Sequence, residues 1–423
     1  MPNEPVEGTG LRGGFGVVFC PDPGKGRSRG RTGGDPMTEM VYGAVPEHAG
    51  EPILPKWWRT VDKWSISCVL ILFGIGLLLG FAASPPLAER NGFGPFHYVQ
   101  RQAFFGGSAL VAMIVTSMMS PVLVRRLAVI GFVVAFVAIL LLPIFGTDFG
   151  KGAVRWYSLG FASFQPSEFL KPGFIVVAAW MLAASQQIGG PPGTAWSFAL
   201  CVAIALILAL QPDFGQASLI LFGWAVMYFV AGAPLILLFA IAGAVIAAGT
   251  LAYSHSEHFA RRIDGFLNPE VDPTTQIGYA TDAIREGGLF GVGVGEGQVK
   301  WSLPDAHTDF IIAVAAEEYG LILVLVIIAL YASIVARSLL RLMRERDVFT
   351  RLAGTGLACM FAVQALINMG VAVRLLPAKG MTLPFVSYGG SSIIAAGIGI
   401  GMLMAFTRAR PQGEIADILR GRH

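Results

Sequence analysis

Long apolar runs dominate the pattern of hydrophobic and polar positions along the chain. A helix needs about 20 consecutive apolar residues to cross a hydrocarbon core of ~30 Å. Ten runs approach that length, at residues 65–83, 104–119, 127–145, 169–184, 194–210, 216–230, 235–253, 310–336, 352–372 and 391–407. We therefore predict an all-α polytopic membrane protein with about ten transmembrane helices.

The amino-acid composition supports this class. Hydrophobic residues make up 54% of the 423 residues and charged residues only 13%, and the mean hydropathy is +0.65. A soluble domain of this length would need far more charge to cover its surface. The four cysteines show no CxxC spacing, which argues against a metal cage and against a disulfide framework.

The basic residues of the short connections fall on one face of the predicted bundle. They are Lys56, Arg59, Arg125, Arg126, the segment 337–351 and the tail from Arg408. This bias predicts that this face, with both termini, is cytoplasmic. The opposite face then receives residues 85–101, 147–167, 254–309 and 374–390. Of these, 254–309 is a large extracytoplasmic loop before helix eight.

The chain divides into three predicted parts. Residues 1–55 are rich in Gly, Pro and Arg, which predicts a disordered cytoplasmic region. An ordinary sequence opens at Met37 within it, and we expect translation to begin there. Residues 56–408 form the membrane domain, and residues 409–423 form a cytoplasmic tail.

A pair of charged residues enters the predicted fourth helix from the outer side. Pro166 and Glu168 suit a helix start, because proline fits the first turn and an acid fits the positive helix end. Glu168 and Lys171 share a helix face, so they can form an ion pair. A helix start does not account for Lys171, since an unpaired charge in a membrane costs at least ~2.5 kcal/mol. A functional role for the pair is favoured over a purely structural one.

Acidic residues also mark the end of the large outer loop, in LPDAHTDFIIAVAAEEYG. Thr308 or Asp309 is a candidate cap for the helix that follows, but a cap needs only one of them. A carboxylate at the lipid–water boundary is equally a candidate general base, and the residues alone leave cap and base even. Glu317 and Glu318 lie about two turns deeper, where buried acids usually mark ion paths or catalysis.

Three further polar segments carry weaker predictions. Asp213 in QPDFGQAS is best explained as a helix cap. In RLLPAKGMTLPFVSYGGSS, Lys379 is either a pyrophosphate ligand or a snorkelling surface residue, and Gln364 and Asn368 before it are predicted to link helices. The glycine-rich residues 287–300 lack the GxxxxGK pattern and the strand–helix context of a nucleotide loop, so we predict no nucleotide site.

Five motifs occur along the chain in a characteristic order: GAVRWYSLGFASFQPSEFLK, QPDFGQA, GGLFGVGVGEG, LPDAHTDFIIAVAAEEYG and LPAKGMTLPFVSYGGSS. In this order they resemble the SEDS family (shape, elongation, division and sporulation). The similarity covers about residues 61–408. ASPPLAERNG and RIDGFLNPE are similar to the cell-division members of the family, with the elongation members as the nearest alternative.

The resemblance implies an inverting glycosyltransferase that polymerises the peptidoglycan precursor lipid II into glycan strands. Undecaprenyl pyrophosphate would be the leaving group. By resemblance Asp309 is the catalytic general base, and Glu168 and Lys171 face a central substrate cavity. Arg155, Lys379, His307 and Ser387 complete the implied substrate-binding set.

The resemblance also implies a divalent cation, Mg²⁺ or Mn²⁺, although the sequence spells no ligand set for it. The implied partners are a class B penicillin-binding protein with transpeptidase activity and other membrane proteins of the division machinery, and no nucleic-acid partner is expected. The implied location is the bacterial inner membrane at the division septum, with the active site facing outward. Two alternatives stay open, namely a lipid II flippase and an elongation-type polymerase.

Overall fold

The computed structural model describes residues 53–148, 154–158, 160, 162–255, 257–267, 275–303, 305–377 and 380–409. The predicted disordered region, including Met37, and the predicted tail lie almost wholly outside these residues, so both stay predictions. The described part is helical, apart from a two-strand hairpin that pairs β1 (Tyr157–Ser158) with β2 (Ser163–Phe164) in antiparallel register.

Thirteen α-helices occur among the described residues. They are α1 (Ile53–Thr60), α2 (Lys63–Arg90), α3 (His97–Met118), α4 (Pro121–Phe145), α5 (Pro166–Ser185), α6 (Gly193–Leu210), α7 (Phe214–Val230), α8 (Leu235–His255), α9 (Glu257–Leu267), α10 (Gln276–Gly287), α11 (Ile311–Leu342), α12 (Val348–Ala372) and α13 (Gly390–Thr407). A 3₁₀ turn, Val299–Trp301, precedes α11.

Each of the ten predicted spans falls on one of these helices, which confirms the α-helical membrane architecture. Among the described residues, eight helices are long and apolar enough to cross a membrane, and these are the predicted spans other than α3 and α7. Helix α7 is only 17 residues long, and α3 opens with the polar sequence HYVQRQ. The count of ten spans and the outer position of the large loop therefore stay predictions.

Helices α5, α12 and α13 form the interior of the bundle, because most of their residues are buried. Lipid tails are as apolar as leucine, so close contact between backbones, and not apolar burial, holds membrane helices together. Gly397 and Gly401 on α13 provide such a contact with α3. A Cβ at either position would overlap the main-chain oxygen of Ala109 or Met113. The GxxxG spacing thus lets α13 approach α3 directly.

The glycine-rich segment 287–293 packs into a break in α11. At the break Gly320 has a φ of 75°, which glycine adopts without the steric penalty of other residues. The carbonyls of Glu317 and Glu318 accept hydrogen bonds from Val292 (2.9 Å) and Gly293 (3.2 Å), and Leu321 donates to residue 288 at 3.0 Å. The segment therefore supplies partners for main-chain groups that the break removes from the helix ladder.

Candidate active site

Asp309 lies in a turn of residues 305–310, directly before α11. Its main-chain N–H donates to the oxygen of Asp305 at 3.1 Å, and the hydroxyl of Thr308 donates to the same oxygen at 3.1 Å. The N-cap residue of α11 is Phe310, whose side chain forms no capping hydrogen bond. Neither Thr308 nor Asp309 therefore occupies the N-cap position, and Asp309 is half-buried.

Asn368 on α12 joins the Asp309 turn to the chain that precedes α13. Its amide nitrogen donates to the main-chain oxygen of Asp309 at 3.0 Å and to that of Met381 at 2.6 Å. A Cβ at Gly380 would lie 3.3 Å from Asp309 Oδ2, so the carboxylate faces the glycine backbone. Asn368 thus links α12 to two non-helical segments rather than to another helix, and one of its partners is the predicted catalytic residue.

The charged pair predicted on the fourth helix lies buried in α5. Lys171 Nζ is 2.7 Å from Glu168 Oε2, and the two side chains are only 5% and 6% exposed. Lys171 also donates to Gln364 Oε1 at 2.9 Å, and Glu168 accepts a hydrogen bond from the amide of Gln216. Gln364 in turn donates to the main-chain oxygen of Thr382 at 3.2 Å. The predicted ion pair is confirmed, and polar partners surround it.

A small cavity of about 50 Å³ borders this pair. Glu168, Lys171 and Gln364 form one side, and the remaining lining is apolar and includes Phe361 and Pro384. A few polar groups set in an apolar wall are typical of a ligand pocket. The lining suits a molecule that carries both a charged group and an apolar portion.

Arg155 and Asp213 lie beside the connection between α6 and α7. The guanidinium of Arg155 donates to the main-chain oxygens of Gln211 (3.0 Å) and Pro212 (2.6 Å). Asp213 occupies the N-cap position of α7, and its carboxylate accepts a hydrogen bond from Gln165 Nε2 at 3.3 Å. The predicted position of Asp213 at a helix start is therefore confirmed. Burial raises the pKa of Asp213, and the charge of Arg155 opposes that rise.

His307 and Ser387 shape the backbone around Asp309. The main-chain oxygen of His307 accepts a hydrogen bond from the N–H of Tyr388 at 2.9 Å. The Ser387 hydroxyl accepts from the N–H of Leu383 at 2.9 Å and is buried. The first contact ties the turn that carries Asp309 to the irregular chain before α13, and the second lies within that chain.

Glu317 and Glu318 belong to the packing of the glycine-rich segment. The Glu317 carboxylate accepts hydrogen bonds from the N–H groups of Val299 (2.7 Å) and Lys300 (3.1 Å). Glu318 forms a buried ion pair with the Lys300 ammonium group. Both glutamates therefore stabilise the packing of this segment, and their role in an ion path or in catalysis stays a prediction. The sequence did not reveal it, because nothing local marks Lys300 as their partner.

This chain is similar to known proteins in both sequence and structure. The sequence model of the family described as "Cell cycle protein", which comprises FtsW, RodA and SpoVE, matches residues 63–412. The chain belongs to this family. A probable peptidoglycan glycosyltransferase FtsW from Caulobacter vibrioides is 42% identical over 85% of this chain and 92% of that protein. The corresponding FtsW from Trichlorobacter lovleyi is 36% identical over 83% and 95%.

Solved structures of family members share the fold. The peptidoglycan synthase complex described as "Structural coordination of polymerization and crosslinking" contains a chain with a TM-score of 0.67 and 28% identity, covering 82% of this chain and 97% of that one. The Thermus thermophilus rod shape determining protein RodA gives a TM-score of 0.59 at 26% identity, covering 83% and 97%. The resemblance to the SEDS family, and to FtsW within it, is confirmed. This family member is a multi-pass inner-membrane protein.

Within the part of this FtsW-like chain that the structure describes, one hydrogen-bonded series joins several predicted residues. It runs from Asp309 through Asn368 to residues 381 and 382, and from there through Gln364 to Lys171 and Glu168. Arg155 lies beside Asp213 outside this series, and Lys379 lies outside the described residues. The functional predictions for Arg155, Lys379, His307 and Ser387 stay predictions.

The sequence did not predict that Gln364 and Asn368 belong to the candidate site. The available signal in the sequence is their spacing of four residues on one helix face, which predicts a link between helices but does not identify their partners.

No group of three or more His, Cys, Asp and Glu side chains that could hold a metal occurs among the described residues. We derive no step through a cation, and the cation requirement stays a prediction.

Proposed function

We propose that this chain is a peptidoglycan glycosyltransferase that polymerises lipid II into glycan strands during septal cell-wall synthesis. The relatives cited above carry the name probable peptidoglycan glycosyltransferase FtsW and match most of the chain. The observation that carries the proposal is the position of Asp309. It is an acid in a turn at a helix end, not a helix cap, and α12 holds its backbone in place.

Asp309 is the general base of the proposed reaction. Its carboxylate takes the proton from the 4-hydroxyl of a glucosamine unit, whose oxygen attacks C1 of a muramyl unit. The new bond joins that oxygen to C1, and the bond from C1 to the pyrophosphate oxygen breaks. Undecaprenyl pyrophosphate leaves with its electron pair, and attack from the opposite side inverts the configuration at C1.

Lys171 is the proposed contact for the anionic headgroup, because it borders a cavity whose remaining wall is largely apolar. Glu168 holds the ammonium group at that position through the 2.7 Å ion pair. Arg155, Lys379, His307 and Ser387 are further proposed substrate contacts. A divalent cation would bind chiefly through the pyrophosphate oxygens of the substrate, which are hard ligands that suit Mg²⁺.

The proposed setting is the inner membrane, with about ten spans, both termini in the cytoplasm and Asp309 on the outer side. Basic connections on the opposite side support this orientation. The proposed partner is a class B penicillin-binding protein. A related solved structure is described as coordinating polymerisation and crosslinking in a peptidoglycan synthase complex, which supports such a pairing.

The test is reconstitution of the full chain with its class B transpeptidase and labelled lipid II, followed by separation of the glycan products. We expect polymer from the wild type and none from Asp309→Asn, which keeps the shape of the side chain but cannot accept the proton. Equal polymer from both would contradict the mechanism. A lipid II flippase is the alternative function, and it would tolerate Asp309→Asn while moving labelled lipid II across vesicles.

A further inference from the structure

Three aromatic rings from separate parts of the chain meet beside the Asp309 turn. They belong to Tyr98 on α3, His307 in the turn itself and Tyr388 just before α13. The ring centroids are 5.4 Å apart for Tyr98 and His307, 5.6 Å for Tyr98 and Tyr388, and 5.5 Å for His307 and Tyr388. Each ring therefore touches the other two.

Hydrogen bonds fix this ring cluster with respect to Asp309. The N–H of Tyr388 donates to the main-chain oxygen of His307 at 2.9 Å. The amide of Asn91 donates to the Tyr98 hydroxyl at 2.8 Å. His307 is two residues from Asp309 in the same turn. The cluster is thus tied to the turn that carries the proposed catalytic carboxylate.

The cluster differs from an ordinary aromatic core in its exposure. The chain offers a direct comparison, since Trp224 and Tyr228 also stack, with centroids 4.9 Å apart, and are 1% and 3% exposed. By contrast Tyr98, His307 and Tyr388 are all only half-buried. Rings that serve packing alone are normally buried as Trp224 is, because exposure of their area forfeits its burial.

The aromatic surface continues from Tyr98 past the start of α3 into the connection before it. His97 lies next to Tyr98 with a centroid distance of 5.2 Å, and the exposed Phe93 stacks on His97 at 4.4 Å with the planes only 12° apart. Five rings in succession therefore lead away from the Asp309 turn. An aromatic ring has a negative face and a tyrosine adds a polar hydroxyl at its edge.

The faces of a pyranose ring carry polarised C–H groups, and its edges carry hydroxyls. We infer that the Tyr98–His307–Tyr388 cluster is a sugar-binding platform, on which a sugar ring of the glycan substrate stacks next to the reacting bond. This inference rests on the proposed function. Two parts of the site then bind different parts of the substrate. The buried Lys171 binds the anionic headgroup, and the three rings bind the uncharged sugars.

The test uses the full chain in complex with its transpeptidase and compares Tyr98→Leu, Tyr388→Leu and Tyr98→Phe. The two leucine variants lose a ring, whereas Tyr98→Phe loses only the hydroxyl. Tyr253→Leu is the matched control, since Tyr253 is 45% exposed and lies on α8. The measurements are the kcat and KM for lipid II, and the binding of chitotetraose by saturation-transfer NMR. Chitotetraose carries neither lipid nor pyrophosphate, so it probes sugar contacts alone.

We expect Tyr98→Leu and Tyr388→Leu each to raise the KM about tenfold, which corresponds to ~1.4 kcal/mol, and to lose chitotetraose binding. The kcat should change less than threefold. Tyr98→Phe should raise the KM less than Tyr98→Leu does, and Tyr253→Leu should match the wild type. A loss of kcat and of melting temperature with unchanged KM in both leucine variants would assign the rings to packing and overturn the platform.

Failure of the platform and failure of the proposed function are distinguishable. If the wild type polymerises lipid II but neither leucine variant changes KM or chitotetraose binding, the platform is wrong and the glycosyltransferase stands. If the wild type makes no polymer, the glycosyltransferase proposal fails. Chitotetraose binding by the wild type but not by the leucine variants would then still support the platform, and binding by neither would overturn it.

Discussion

The amide nitrogen of Asn368 lies 3.0 Å from the main-chain oxygen of Asp309. The same nitrogen also binds the main-chain oxygen of Met381. A single side chain on α12 therefore sets the distance between the turn that carries the proposed base and the chain that it faces. A small displacement of a catalytic group can lower the reaction rate about 10²-fold. We therefore expect Asn368 to influence the rate of polymerisation, although it does not itself react.

Asn368→Leu is expected to lower the kcat for polymerisation by about 10- to 100-fold while Asp309 stays intact. The substitution removes the donor and leaves two main-chain oxygens without that partner, which costs about 1–3 kcal/mol of stability. The measurement is polymer formation together with the melting temperature. Thr355→Ala, a buried substitution on the same helix, is the control for general loosening of α12. Equal losses of kcat in the two variants would argue against a specific positioning role.

Lys171→Met is expected to destabilise the fold by about 3–5 kcal/mol, because it leaves the Glu168 carboxylate buried and unpaired. Adding Glu168→Gln removes the second charge and should restore most of that stability. Polymerisation should stay absent in the double variant if Lys171 contacts the headgroup. Thermal unfolding in detergent and polymer formation give the two readouts. Recovery of both stability and activity would assign the pair to structure alone.

Gly291→Ala is expected to destabilise the protein more than Gly295→Ala. Both glycines have positive φ, at 83° and 86°, so each substitution carries about 1–2 kcal/mol of backbone strain. Only at Gly291 would the new Cβ overlap the main-chain oxygen of Glu318, whereas the space around Gly295 is open. The difference in melting temperature between the two variants measures this contact. Identical melting temperatures would mean that the segment does not pack into the break of α11.

Asp213→Asn is expected to stabilise the protein at pH 7 and to lose that advantage as the pH falls towards 4. Burial raises the pKa of the Asp213 carboxyl above its ordinary value of 3.8. A raised pKa means that the folded state favours the protonated form, so stability is fully present below the unfolded pKa and declines as the pH rises through the folded pKa. Asparagine carries no charge, so the stability of the variant does not decline in this way as the pH rises. Melting temperatures of both proteins at pH 4 to 7 test it, and a less stable variant at pH 7 would show that attraction to Arg155 outweighs burial.

Local patterns predicted the elements of the fold. Apolar runs located the helices, and the i, i+3 spacing located the Glu168–Lys171 pair that the structure contains. The same spacing argument did not reveal that Gln364 completes this pair or that Asn368 reaches Asp309. Those contacts join residues 193 and 59 positions apart. No local pattern specifies such a distance.

Two local patterns do not specify the roles of the side chains that they mark. Thr308 and Asp309 stand where a helix cap is expected, but Phe310 takes the N-cap position of α11. Glu317 and Glu318 suggested ion chemistry because buried acids are expensive. The free-energy cost of burying these carboxylates is reduced by the Lys300 ammonium group and by the main-chain N–H groups of Val299 and Lys300. The sequence does not show that these groups lie beside the glutamates.

The break in α11 also bears on how the protein is made. Lipid offers no hydrogen bonds to the main-chain groups that Gly320 exposes, so only residues 287–293 can satisfy them. That segment is synthesised before α11, so it is available when the helix forms. A chain in which the segment packed elsewhere would leave the main-chain groups at the break without these partners. Insertion of a stable α11 therefore depends on a segment that lies outside the helix itself.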